Sequence, residues 1–141
     1  MKMISEHDTL RIKSRTDQLA RVRSWLTQKA QKWGLAPEDI YALTLAVTEA
    51  CANIIRHAYE GAKSKDIILS ISTEENKLAI TIRDFGKKFN LAHYTPPDPG
   101  SLAETGYGVY LILNLMDEVE YDTSPLKGTV LRMSKYKARK R

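Results

Sequence analysis

Four short groups of residues in this chain combine side chains and backbone freedom of the kind that phosphate chemistry uses. Glu49 and Asn53 stand four residues apart, so on a helix they are neighbours on one side. With about 100° of rotation per residue, Ala42, Ala46, Glu49 and Asn53 fall within about 60° of one another, small residues leading to a carboxylate and an amide. Such a strip leaves room for a ligand beside the helix and offers oxygen atoms to a hard cation such as Mg²⁺. Taken alone, the pair reads equally as an ordinary hydrated face. Asp84-Phe85-Gly86 places a carboxylate just past a strand, able to accept from an exocyclic amine, and follows it with a residue that has no side chain to obstruct a ligand. A strand-ending turn uses the same residue types. Gly106-Tyr107-Gly108 opens a helix, whose free amides and positive end suit phosphate oxygens. Gly128-Thr129 begins a late strand with a hydroxyl that can reach a ligand or pair within the sheet.

Several familiar phosphate motifs are excluded. The glycines around Tyr107 lack the Gly-Lys-Ser/Thr ending of a P-loop, and they follow a long loop where a dinucleotide fingerprint follows a strand. Asp84-Phe85-Gly86 also occurs in eukaryotic-type protein kinases, but this chain has no His-Arg-Asp loop and no Val-Ala-Ile-Lys strand.

The elements that must position these groups follow from periodicity. Alternation over Asp8–Ser14 puts Leu10 and Ile12 on one face of a strand. Thr16 is suited to cap a helix in which Leu19, Val22, Leu26, Ala30 and Trp33 recur at three and four residues, until Gly34 stops it. Pro37 starts a second helix, with Glu38 and Asp39 at its positive end and a buried stripe of Ile40, Leu43, Val47, Cys51, Ile54 and Ala58. Asp66–Thr73 and Lys77–Asp84 read as a hairpin across the polar turn at 74–76. Residues 85–105, with the segment TPPDPGS, can continue neither helix nor central strand, and loops of that length are usually functional or mobile. A short helix over Gly108–Met116 and strands over Glu118–Asp122 and Gly128–Tyr136 complete the chain. The order predicts an α+β two-layer sandwich, with helices on one face of a mixed, mostly antiparallel sheet.

Length and composition bound the function. A chain of 141 residues with 43% hydrophobic and 28% charged side chains fits a single globular domain spanning 1–141. No apolar run approaches the roughly 20 residues of a membrane span, and the first residues lack a secretory stretch, so a cytoplasmic location is expected. Cys51 is alone, which rules out an internal disulfide or a multi-cysteine zinc site and leaves a small buried residue. The net charge of +5 is concentrated in a basic tail, KYKARKR over 135–141, read as a solvated end in preference to a nucleic-acid arm.

In order and approximate spacing, Glu49-x-x-x-Asn53, Asp84-x-Gly86, Gly106-x-Gly108 and Gly128-Thr129 resemble the four nucleotide-binding boxes of the GHKL (Bergerat-fold) ATPases, the superfamily that includes gyrase, MutL and histidine kinases. The run TLAVTEACANIIRHAYEG is similar to the bacterial anti-sigma-factor serine/threonine kinases. The resemblance covers about Leu10 to Met133.

The resemblance implies ATP between the helical layer and a lid at about Lys87–Thr105, with magnesium on the phosphates. Asn53 would bind Mg²⁺, and Glu49 would be the catalytic base for the attacking hydroxyl. Asp84 would accept from the adenine amino group, Gly86 would let the base approach, Gly106 and Gly108 would let the chain wrap the phosphates, and Thr129 would support Asp84 directly or through water. Partners implied are a small STAS-type anti-anti-sigma antagonist, which is phosphorylated, and a sigma factor, which is sequestered; a homodimer is a family expectation, and direct nucleic-acid or membrane binding is not. Lys87-Lys88 and Glu104-Thr105 stand where relatives have further glycines, so adenine binding is carried over more firmly than phosphate wrapping. Lys87 or Lys88 could offer charge to the phosphates or remain solvated, and His57 and Arg56 lie one turn beyond Asn53, where a structural role competes with a phosphate-facing one. The alternative function is a nucleotide-dependent binding module that phosphorylates nothing. A detached histidine-kinase half fits less well, because the chain has no room for a helical hairpin with a phosphoacceptor His.

Overall fold

The computed structural model describes residues 8–90 and 107–137. Strand β1 (Thr9–Lys13) leads through a 3₁₀ turn, Thr16–Gln18, into α1 (Leu19–Trp33). Thr16 does not cap that helix: the residue before α1 is Gln18, no side chain caps either element, and the Gln18 amide is taken by the Arg15 carbonyl at 3.0 Å. A backbone acceptor thus does the work predicted for a hydroxyl. Gly34 ends α1 as its position requires, at φ 98°, with its amide on Ala30 and Gln31.

Helix α2 (Pro37–Asn53) begins on Pro37 with Glu38 and Asp39 in its first turn, then widens into a π turn over Ile54–Ala58. Periodicity alone does not distinguish this turn from α-helix. Its signature is the Tyr59 amide reaching back five residues to the Ile54 carbonyl at 2.9 Å. The backbone then passes through two left-handed residues, Glu60 and Gly61.

Strands β2 (Asp66–Glu74), β3 (Lys77–Arg83), β4 (Glu118–Asp122) and β5 (Val130–Tyr136), with β1, form one sheet in the order β1-β2-β3-β5-β4. All four pairings are antiparallel, where the sequence allowed for a mixed sheet. Each strand enters from a hairpin or across the helical layer against its neighbour's direction, so no parallel crossover arises. Helix α3 (Tyr107–Leu115) lies between β3 and β4 in the chain, and β5 inserts between those two strands in space. Lys135 and Tyr136, which the expected strand over Gly128–Tyr136 shares with the basic tail, are paired with Leu78 and Lys77 as the end of β5. The Lys135 ammonium donates to the Leu115 carbonyl at 2.6 Å and faces Asp117. Its cation caps the C-terminal end of α3.

Alternation in the strands sends Ile67, Leu69, Ile71, Leu78, Ile80, Ile82, Leu131 and Met133 to the covered face. They join Val22, Leu26 and Ala30 of α1, Leu43 and Val47 of α2 and Ile112 of α3 in one apolar core. Cys51 lies in it, where burial pushes its thiol up to about 12, so it packs as an inert apolar residue. No helix among the described residues is long and apolar enough to cross a membrane.

Candidate functional site

The end of α2 meets the start of α3 at Glu49, Asn53 and Gly108, and the paired ends of β3 and β5 bring Asp84 beside Thr129. Glu49 and Asn53 are half-buried on α2. The small-residue strip before them is not open along its length, because Ala42 and Ala46 are buried. Helix packing fills that part, and the polar pair lies at the C-terminal end of α2. There the backbone of Gly108 passes directly over both side chains: a Cβ at Gly108 would lie 2.7 Å from Glu49 Oε2, 2.9 Å from Asn53 Nδ2 and 3.0 Å from Asn53 Oδ1. The first turn of α3, where amides lack intrahelical partners, therefore faces a carboxylate and an amide. Gly106 and most of the lid segment fall outside the described residues.

Gly108→Ala separates stability from ligand handling. Alanine favours helix by up to about 1 kcal/mol, and the atoms it meets are mobile side-chain ends. Thermal melts are expected to show a fold at least as stable as the parent, while Mg-ATP affinity falls by at least about tenfold because Glu49 and Asn53 are displaced.

Arg56, one turn beyond Asn53, donates to Asn53 Oδ1 at 2.8 Å and stands 3.8 Å from Glu49 Oε2. It bridges the two site residues, a link the sequence left open between structural and phosphate-facing roles. His57 is exposed.

Asp84 and Thr129 meet because β3 and β5 are neighbours: Arg83 pairs with Val130, and one step on the Asp84 amide donates to the Thr129 carbonyl at 3.1 Å. Both residues are buried. Thr129 thus supports Asp84 through its backbone, while its hydroxyl accepts the Phe89 amide at 3.2 Å. Burial pushes the Asp84 carboxyl above its ordinary value, while the Gly86 amide at 2.9 Å, the Arg83 charge and the Thr129 backbone pull it back. A carboxylate held this dry discriminates sharply between a donor and an acceptor placed before it.

Gly86 makes a different close approach from the one expected. Its missing side chain faces the end of the π turn: a Cβ would collide with the Ala58 carbonyl and lie 2.8 Å from Tyr59 Cδ1. The glycine lets the Asp84 turn dock on the helix end, where Lys87 donates its amide to Ala58 at 2.8 Å. Gly128, at φ 75°, lets its loop touch the Asp84 carbonyl.

Of the two lysines after Gly86, the side chain of Lys87 is held by an exposed ion pair and that of Lys88 by backbone carbonyls. Lys87 pairs with Glu60 at 3.6 Å, and Lys88 gives its ammonium to the carbonyls of Thr123 at 2.6 Å, Pro125 and Gly128 at 3.4 Å. Phe89 stacks on Tyr121 with ring centroids 4.0 Å apart. The start of the lid segment is thus fastened to the β4–β5 loop. Tyr59 is the site residue that sequence reasoning missed; a phenol closing an apolar stripe was its one available signal.

A family model for the histidine kinase-like ATPase domain matches residues 12–135. The chain belongs to that family. Within it, the chain is 30% identical over 149 residues to serine-protein kinase RsbW of Bacillus licheniformis, covering 100% of this chain and 92% of the relative. It is 29% identical over 144 residues to serine-protein kinase RsbW of Bacillus subtilis, covering 96% and 89%. The fold is similar to the crystal structure of the RsbU and RsbW domains of a Mycobacterium tuberculosis protein, with a TM-score of 0.68 at 17% identity over 94% of this chain and 33% of that one.

Proposed function

We propose that this chain is an ATP-dependent serine/threonine protein kinase and anti-sigma regulatory factor of the cytoplasm, phosphorylating a small STAS-type anti-anti-sigma antagonist and otherwise holding a sigma factor. The observation that carries the reading is the close approach of Gly108 to Glu49 and Asn53, where a Cβ on the glycine would lie within 3.0 Å of both side chains, because it joins a helix N-terminus to a carboxylate and an amide. Histidine kinase-like ATPase membership and full-length similarity to proteins named serine-protein kinase support it.

In this reading Asp84 accepts from the adenine amino group, and the α3 amides beyond Gly106 and Gly108 receive phosphate oxygens. Asn53 Oδ1 uses one of its two lone pairs on Arg56, which leaves the other for a cation. Among the described residues no group of three His, Cys, Asp or Glu side chains gathers to ligate a metal. That donor set fits Mg²⁺, which takes one or two protein oxygens and completes its shell with phosphate and water. Bound there, Mg²⁺ would neutralise phosphate charge. Glu49 takes the proton of the attacking serine or threonine hydroxyl, and the protein's remaining contribution is positioning.

ATP titrations with and without Mg²⁺, in the parent and in Asp84→Asn, test this. Parent binding is expected to depend on Mg²⁺. Asp84→Asn should weaken it by about 10–100-fold, because an amide turned to accept presents a neutral partner to the amine in place of a charged one. Equal binding by both proteins would contradict the assignment.

A further inference from the structure

The turn that carries Asp84 is held by backbone ties more than by burial. Phe85 is 42% exposed, with the Arg83 guanidinium 4.3 Å from its ring centre. A cleft of about 510 Å³ opens beside the turn, bordered by Ala58, Tyr59, Phe85, Gly86 and Lys127 among others. No packed apolar anchor at Phe85 sets the height of this turn above the sheet.

Its position is set from two sides. On the sheet side Asp84 is tied to Thr129. On the helix side the Phe85 amide donates to the Tyr59 hydroxyl at 2.8 Å, and the Lys87 amide donates to Ala58. The same hydroxyl donates to the Asp66 carbonyl at 2.6 Å, at the start of β2. A phenol has one proton, so giving it to Asp66 orients the oxygen lone pairs, one of which receives Phe85. Tyr59 is 7% exposed, and burial raises its pKa, so the phenol keeps the proton this arrangement needs. Both of its partners are backbone atoms, which cannot swing away as side chains do.

We propose that Tyr59 is the positioning residue for base recognition, its hydroxyl holding the Phe85 amide so that the Asp84 carboxylate sits at a set distance from the helix carrying Glu49 and Asn53. The inference rests on the nucleotide reading above. Tyr59 follows Asn53 through the π turn, so one continuous helical segment spans the phosphate end and reaches the base end of the site. The tie acts on where the base is read, and it leaves the phosphate groups on α2 untouched. Its loss should therefore appear in base discrimination and in KM for ATP, with kcat preserved.

The test is Tyr59→Phe in the full chain, comparing Kd for ATP and for GTP, and kcat at saturating ATP. The ring remains, while Phe85 and Asp66 lose their shared partner. ATP affinity is expected to fall about tenfold and GTP affinity to change less than about twofold, because GTP offers an acceptor where adenine offers a donor. At saturating ATP, kcat should stay within about twofold of the parent. An unchanged ATP-to-GTP ratio in the folded variant, or a fall in kcat at unchanged ATP affinity, would overturn the proposal. If Tyr59→Phe fails to fold, 3,5-difluorotyrosine at position 59 keeps the donor and weakens the acceptor, and a smaller loss of the same ratio is expected; an unchanged ratio again overturns it. A parent that does not bind ATP brings down the nucleotide reading itself. A parent sensitive to Asp84→Asn but indifferent at Tyr59 brings down this inference alone.

Discussion

Glu49→Gln is expected to slow phosphoryl transfer to an antagonist protein by about 10²–10⁴-fold while Mg-ATP affinity stays within a few-fold of the parent. The glutamine keeps the size and one acceptor oxygen of the glutamate, and it loses the proton acceptor. Two features make the fold indifferent to the change. The Arg56 contact at 3.8 Å joins side chains 55% and 29% exposed, a class of pair worth at most about 1 kcal/mol. Arg56 also keeps its bond to Asn53 Oδ1, so the amide stays oriented. The measurement is transfer of label from γ-labelled ATP, alongside calorimetric titration of Mg-ATP. Undiminished transfer in the variant would remove Glu49 from the role of base. ATP binding without any transfer in the parent would favour a nucleotide-dependent binding module in place of a kinase.

Gly128→Ala should cost about 3 kcal/mol of stability or more, the largest loss at any glycine described. Two penalties coincide there. At φ 75° an L-residue is strained by about 1–2 kcal/mol, and the new Cβ would overlap the Asp84 carbonyl and sit 2.7 Å from Phe85 Cα. These neighbours are backbone atoms of the Asp84 turn, so relief requires moving the segment that carries the carboxylate. Gly61→Ala is the internal comparison: φ is 84°, nothing lies within 4 Å of its Cβ, and strain alone should cost about 1 kcal/mol. Thermal or urea unfolding of the pair reads the difference. Equal losses would mean that the contact with Asp84 relaxes freely. ATP affinity should fall with Gly128→Ala and stay unchanged with Gly61→Ala.

Much of this site was legible because its parts are local. Glu49 and Asn53 are four residues apart on a helix that begins on Pro37, and helical spacing alone makes them neighbours. Asp84 follows a strand whose alternation is clean, and Gly34 stops α1 where an αL residue is needed. The apolar stripes named the core, since Val22, Leu26, Leu43 and Val47 are all buried.

What the sequence by itself determined is the identity of nearly every element and the order of the chemical groups along the chain. These are written in spacings of two, three and four residues, and backbone geometry converts such spacings directly into faces. Tertiary structure decided the rest. It placed β5 between β3 and β4, which joins Asp84 to Thr129; it turned Gly86 toward Ala58, engaged Lys88 with three carbonyls and set Tyr59 against Phe85. Each of these contacts joins residues from 26 to 45 positions apart, as Phe85 and Tyr59 or Asp84 and Thr129. Their formation depends on how whole layers pack, because a hydrogen bond between distant backbone atoms is available only after the elements carrying them have been brought together by burial of the core.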